Sequence, residues 1–382
     1  MSCASPSDVS MPAPVQTSSA RRPICVLHLL DSLRVGGKER QAVELLKGLR
    51  AKGVENVVVT MGTEQFYVPD VEALGVPLVY LLRKTRWDPS IFPRLAGLLR
   101  RFRPQILHTN SSMGMFYAMP AARMMGVKLV NGTIRNAFSE TGFRWKCHKA
   151  LLRLADARVG NSKAGFASRG WRHDAPGNHV VYNGFDMERF ETRAAAGADG
   201  LGFDLGGRKV AGMVAEFNDY KDFPTFIRAA QMVLSKRKDV IFVAVGGGKN
   251  LADCQQLAAN EPNIRFLGPR KDVEKLVKQM DMGLLCTFTE GISNSVMEFM
   301  AAGKPVVVTD GGGSSELVTQ GEDGFLVPPS NPAAVAEKIE WLLDNGSRAS
   351  RMGEAAREKV RQRFSLEQLA DNTLEIYRAL AS

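Results

Sequence analysis

Glu290 and Glu298, separated by seven residues, bracket the segment Gly291-Ile292-Ser293-Asn294. The apolar run MGLLCTF just before them reads as a buried strand that delivers Glu290 at its carboxyl end. Gly291 to Asn294 then open a helix, whose free N–H groups and partial positive charge hold anions. Glu298 falls about a turn into that helix. Two acids around an anion-binding helix start suit a ligand with phosphates in its middle and hydroxyls at both ends, the shape of a nucleotide-sugar. Acids at a helix start also stabilise the helix itself; that accounts for Glu290 but does not require the glycine-rich opening.

Other loops offer related chemistry. Gly36 and Gly37, in DSLRVGGKER, let backbone approach a ligand between a first strand and a first helix. Lys221 follows the strand KVAGMVA, near a helix start that suits a phosphate, although a surface lysine looks the same. Glu216 shares its loop. Gly246-Gly247-Gly248 and Asp310-Gly311-Gly312-Gly313 make two further glycine-rich turns, and three such loops at one sheet edge read as binding, not packing. GxxxxGK[ST], HExxH and GxSxG are absent, as is the Asp-x-Asp pair of metal-dependent sugar transferases. The five histidines lack ligand spacing, so neither a cofactor nor a catalytic metal is expected.

The elements that must position these residues alternate strictly. ICVLHLL, NVVVT, PLVYLL, QILHT, KLVNGT, ARVGN and HVVYN are separated by amphipathic stretches, and so are KVAGMVA, VIFVAVG, IRFLG, MGLLCTF, KPVVVTD and GFLVPP. Continuous apolar strands between helices mean parallel sheets covered on both faces, hence two doubly wound α/β domains. Residues 1–22 read as a disordered lead-in, 23–183 as a first domain, 184–360 as a second and 361–382 as a terminal helix.

Residues 21–183 hold 26 Lys and Arg against 11 Asp and Glu, whereas residues 184–382 hold 24 against 28. The basic half suits an anionic membrane surface through Arg94, Arg100 and Arg101, and through Phe143, Trp145, Lys146, Lys149 and Arg153. A solvated helix face beside an acidic neighbour looks alike. No apolar run approaches the ~20 residues of a membrane span. Five scattered cysteines suggest reduced thiols and a cytoplasmic protein, and a nucleic-acid partner is not expected.

In order along the chain, GGKER, VVYNGFDMERF, Lys221, FVAVGGG, the Glu290-x7-Glu298 block, AAGKPVVVTDGGGSSELV and GFLVPP resemble glycosyltransferase family 4, retaining enzymes of the GT-B fold. The resemblance implies two Rossmann-like domains facing a cleft, with a final helix crossing back. It implies that Glu290 holds the donor sugar, Glu298 the ribose, and Lys221 with the amides of Gly291, Ile292, Ser293 and Asn294 the diphosphate. Gly36 and Gly37 would close on it, Gly246 would lie on the donor side, and His108 and Asn110 on the acceptor side. The partners implied are a UDP- or GDP-sugar and a glycan or lipid-linked acceptor, in bacterial cell-surface polysaccharide synthesis. An epimerase of the same fold and a non-catalytic partner protein are the alternatives.

Two departures stand out. Glu216 occupies the place, five positions before Lys221, where the family carries arginine. Where it has a histidine after a first-domain strand, VKLVNGTIRN offers Arg135, the candidate for catalysis with Glu290. A carboxylate near a diphosphate is opposed by ~4 kcal/mol per charge pair at an effective dielectric of 20. Glu216 is therefore expected either to pair with Lys221 or to contact donor hydroxyls.

Overall fold

A computed structural model describes residues 23–85, 87–139, 142–195, 200–259 and 261–382. The lead-in at 1–22 lies outside the described residues. The first sheet contains β1 (Cys25–Leu30), β2 (Glu55–Thr60), β3 (Leu78–Tyr80), β4 (Ile106–Thr109), β5 (Lys128–Ile134), β6 (Ala157–Gly160) and β7 (Asn178–Val180). The second contains β8 (Lys209–Val214), β9 (Val240–Val245), β10 (Ile264–Phe266), β11 (Met282–Leu285), β12 (Val306–Thr309) and β13 (Gly324–Val327). Their orders are β3-β2-β1-β4-β5-β6-β7 and β10-β9-β8-β11-β12-β13. The central pairs run parallel, β1 with β2 and β4, and β8 with β9 and β11. Every residue of β1 and β9 is buried, as strands covered on both faces must be.

Each sheet reverses its order once, between β1 and β4 and between β8 and β11. Doubly wound sheets bind ligands outside the carboxyl ends at such switch points. The loops leaving β1, β4, β8 and β11 carry Gly36, Asn110, Lys221 and Glu290, so both switch points bring candidate residues to the cleft.

The chain passes between domains twice, side by side. Phe185 N donates to Phe364 O at 2.7 Å, and Phe185 bridges Ser365 in parallel. The helix Gly346–Arg363 stays with the second domain, burying Met352, Ala356 and Val360 in its core. The crossing back thus falls at Phe364–Ser365, a little beyond residue 361. The final helix, Leu366–Ala381, puts Leu369, Leu374 and Tyr377 into a cluster with Val26 and Ile106. It lies so close to the first helix, Gly37–Ala51, that a Cβ on Gly48 would sit 2.8 Å from the Ala370 methyl.

Beneath the first sheet's centre, His28 Nε2 bonds Asn56 Oδ1 at 2.9 Å, and His108 Nδ1 bonds the Tyr377 hydroxyl. Burial pushes the His28 imidazole down to about 4 and His108 well below its ordinary value. A histidine depressed on folding stabilises the protein fully above its unfolded pKa and loses that contribution as pH falls through the folded value. Thermal stability is therefore expected to fall between about pH 6.5 and pH 4, by on the order of 3 kcal/mol from His28 alone. Melting curves of His28→Gln should show a shallower pH slope in that window; an unchanged slope refutes the assignment.

Candidate active site

A cavity of about 290 Å³ lies between the domains. Gly37, Lys38, Gln41 and Arg135 line it from the first domain, and Glu216, Lys221, Glu290 and Asn294 from the second. Two helix starts meet at its edge. The side-chain amide of Asn294, first residue of the helix Asn294–Ala301, donates to Gly37 O at 3.4 Å and accepts from Gln41 Nε2 at 3.1 Å. Gly37 is closely met: a Cβ there would lie 3.0 Å from Asn294 Nδ2, so that amide would have to give by a few tenths of an ångström. Asn183, from the turn at the domain join, donates to Ile292 O at 2.9 Å and to Asn294 Oδ1 at 3.1 Å. Both helix starts thus present partial positive charge toward the cleft.

The second-domain wall is built from backbone outward. Lys221 is bridged to Thr287, whose hydroxyl donates to Tyr220 O at 2.8 Å, which fixes the loop after β8 against the one after β11. Gly313 N donates to Glu290 O at 2.8 Å, and Gly312, at φ 66°, lets that loop press against the Glu290 backbone. Ser293 caps the helix, its hydroxyl accepting from Val296 N at 3.4 Å. On this scaffold the Lys221 ammonium makes a close ion pair with the Glu290 carboxylate, both side chains mostly buried. Either group is free to exchange this partner for a ligand's phosphate or hydroxyl.

The first-domain wall supplies cations. Arg135 is partly buried, donating through Nε to Gly132 O at 3.0 Å and through Nη1 to Asn183 Oδ1 at 3.2 Å. Burial pulls its pKa down to about 10, which leaves it charged at neutral pH. It has no carboxylate partner among the described residues, so its charge is available to an anion. Lys38 follows Gly37 and lies 3.4 Å from Asp31 and 3.7 Å from Glu39. Sequence reasoning passed over Lys38, Gln41 and Asn183; the GGKER loop and the turn at the join were the signals that could have found them.

Several expected positions differ. Glu216 lines the cavity but does not pair with Lys221, which Glu290 holds; it accepts from Asn218 Nδ2 at 3.2 Å instead. Glu298 lies outside the cavity lining, buried and ion-paired with Arg40. Gly246 does not reach the cavity either. At φ 145° it packs its backbone on Ala215, and Gly247 O accepts from Phe217 N at 2.9 Å. Two of the glycine-rich turns are thus accounted for by loop packing. His108 is 1% exposed and faces Tyr377, beneath the surface on which it was expected.

Asn110 does line a second, larger cavity, of about 900 Å³, in the first domain. Arg135 and Lys38 border both cavities. Trp87, Phe116, Phe143 and Trp145 give the larger one an apolar wall. Trp145 stacks on His148 with ring centroids 5.2 Å apart, and the Arg169 guanidinium lies over its ring at 5.1 Å. Burial pushes His148 down to about 4, so the imidazole is neutral at pH 7, and its Nδ1 bonds Ser112 Oγ at 2.5 Å.

The family model described as Glycosyltransferase Family 4 matches residues 35–189, and the one described as Glycosyl transferases group 1 matches residues 208–345. The chain belongs to the family 4, group 1 glycosyltransferases. It is similar to the putative glycosyltransferase EpsD of Bacillus subtilis (strain 168), 30% identical over 168 residues that cover 43% of this chain and 44% of EpsD. The match thus spans less than half of that relative's length. It is 25% identical to the UDP-Gal:alpha-D-GlcNAc-diphosphoundecaprenol alpha-1,3-galactosyltransferase of Escherichia coli, over 81% of this chain and 85% of that one. The crystal structure of Anabaena Alr3699/HepE in complex with UDP-glucose superposes with a TM-score of 0.78 at 20% identity, covering 93% of this chain and all of that one. The fold is GT-B.

Proposed function

We propose that this protein transfers a sugar, with retention of anomeric configuration, from a UDP- or GDP-sugar to a glycan or lipid-linked acceptor in the synthesis of a cell-surface polysaccharide. The observation that carries the reading is the interdomain cavity. Two helix starts, Lys221, Lys38 and Arg135 converge there around a carboxylate, Glu290, that can hold sugar hydroxyls.

In this reading the donor diphosphate takes Lys221 from Glu290, and the released carboxylate accepts hydrogen bonds from the donor sugar. The acceptor oxygen, approaching from the Asn110 cavity, bonds to the anomeric carbon on the face from which the diphosphate departs. The anomeric C–O bond breaks, and the acceptor's proton passes to the departing phosphate oxygen. Arg135, bordering both cavities, stabilises the charge that develops on that phosphate. Lys38 and Arg135 supply from the first domain the positive charge that Glu216 withholds in the second, and the chain's own cations serve without a metal.

Two relatives support the choice of partners. The Anabaena structure carries UDP-glucose, and the Escherichia coli relative is named for a diphosphoundecaprenol-linked acceptor. The apolar wall of the larger cavity suits an acceptor with a lipid portion. Phe143 is 80% and Trp87 58% exposed at its border, which favours work at an anionic membrane surface; no helix among the described residues is long and apolar enough to cross one.

The test is a thermal-shift screen with UDP- and GDP-sugars, since a ligand at 100 times its Kd adds about 2.7 kcal/mol of stability. A rise in melting temperature with one nucleotide series is expected. No response to any nucleotide-sugar would refute the donor site. Turnover of the bound donor into an interconverted sugar, without an acceptor product, would favour the epimerase.

A further inference from the structure

We propose that Arg40, outside the donor cavity and on the opposite domain, is the positioning residue for Glu298, and that Glu298 receives the donor's ribose only while Arg40 holds it. The ribose role of Glu298 is the one the family resemblance implies and rests on the donor reading above; the role of Arg40 comes from the geometry. Arg40 lies one turn into the first helix, just beyond the Gly36–Gly37 loop that meets Asn294. Its Nη1 donates to Glu298 Oε1 across the domain interface, with the two side chains 12% and 8% exposed.

A carboxylate enclosed to this degree is costly to keep charged. Burial lifts the Glu298 carboxyl above the usual range, and Arg40 is the principal group pulling it back. Arg40 takes Oε1 and leaves Oε2 without a hydrogen-bond partner among the described residues, so one oxygen is still able to accept from a hydroxyl. Arg40 is itself held in place. Its Nε lies 3.7 Å from Glu44, whose carboxylate is 3.3 Å from Arg189, which in turn lies 3.2 Å from Glu274. This chain of alternating charge runs from the first domain through the segment after the join into the second. Arg40 is therefore the link that holds Oε1 of Glu298 and fixes where that carboxylate lies at the domain interface.

The test separates ribose from phosphate. UDP and inorganic pyrophosphate are titrated calorimetrically into the wild type, Arg40→Met, Arg40→Lys, Glu298→Gln and the paired Arg40→Met/Glu298→Gln variant. Arg40→Met is expected to weaken UDP about tenfold or more and pyrophosphate hardly at all. Arg40→Lys should recover part of the loss. The paired variant should bind UDP no more weakly than Glu298→Gln alone. It also removes both buried charges, so it carries the comparison if Arg40→Met does not fold. Equal weakening of UDP and pyrophosphate would mean that Arg40 is structural only, and unchanged UDP binding would mean that it does not act on the ribose; each overturns the proposal. A wild type that binds neither ligand overturns the donor reading as well, an outcome distinguishable from both.

Discussion

Glu290→Gln is expected to lower kcat by about 10- to 100-fold with the fold intact, and Lys221→Ala to abolish measurable donor binding. The two side chains form one ion pair on the wall of the cavity, and each is held by its own loop: Lys221 through the bridge to Thr287, Glu290 through Gly313 N. Removing one charged hydrogen-bond partner costs ~1.5–3 kcal/mol, or one to two decades in rate. Lys221→Ala should do more damage, because it both deletes the second domain's phosphate cation and leaves Glu290 and Glu216 unopposed beside the diphosphate. Steady-state kinetics and calorimetry of the two variants check this. Near wild-type kinetics in Glu290→Gln, or normal nucleotide binding in Lys221→Ala, would show that the polarity of the site is misassigned.

Gly291→Ala is expected to cost about 100-fold in kcat without unfolding either domain. A Cβ on Gly291 would lie 2.5 Å from Asn161 Oδ1 and 2.6 Å from Arg135 O, both on the opposite domain. Each domain could keep its own core, so the strain would be relieved by widening the cleft. A displacement of about 1 Å between reacting groups is enough for a loss of that size. Gly97→Ala, where a Cβ meets nothing within 4 Å, is the matched control. Equal activity of the two variants would show that close approach of the domains at Gly291 is not needed for turnover.

The fold was legible because buried parallel strands leave an unambiguous trace. Runs such as VIFVAV and KVAGMV carry no polar face, and each apolar run in the sequence became a strand of one of the two sheets. Glu290, Lys221 and the Asn294 helix start were legible for a related reason: sheets of this kind aim their carboxyl-end loops at one cleft. Contacts between domains left no such trace. Arg40 meets Glu298 across 258 positions of sequence, and no periodicity says which buried charge faces which. Of the two places open to Glu216, the loop geometry removes one for the same reason: proximity in sequence favoured Lys221, whereas that lysine goes to Glu290 and Glu216 keeps its place on the cavity wall. The glycines after β9 were read as ligand-facing, yet the φ of 145° at Gly246 serves the packing of one loop on another. Glycine alone does not reveal whether its neighbour is a ligand or backbone.

A crystal structure of the protein with UDP tests the central claim most directly. The account predicts the diphosphate in the interdomain cavity, within hydrogen-bond distance of Lys221 Nζ and the amides at the start of the helix Asn294–Ala301, with Glu290 released from Lys221. UDP bound elsewhere, or in the cavity with the Lys221–Glu290 pair intact and the phosphates turned from that helix, would contradict it.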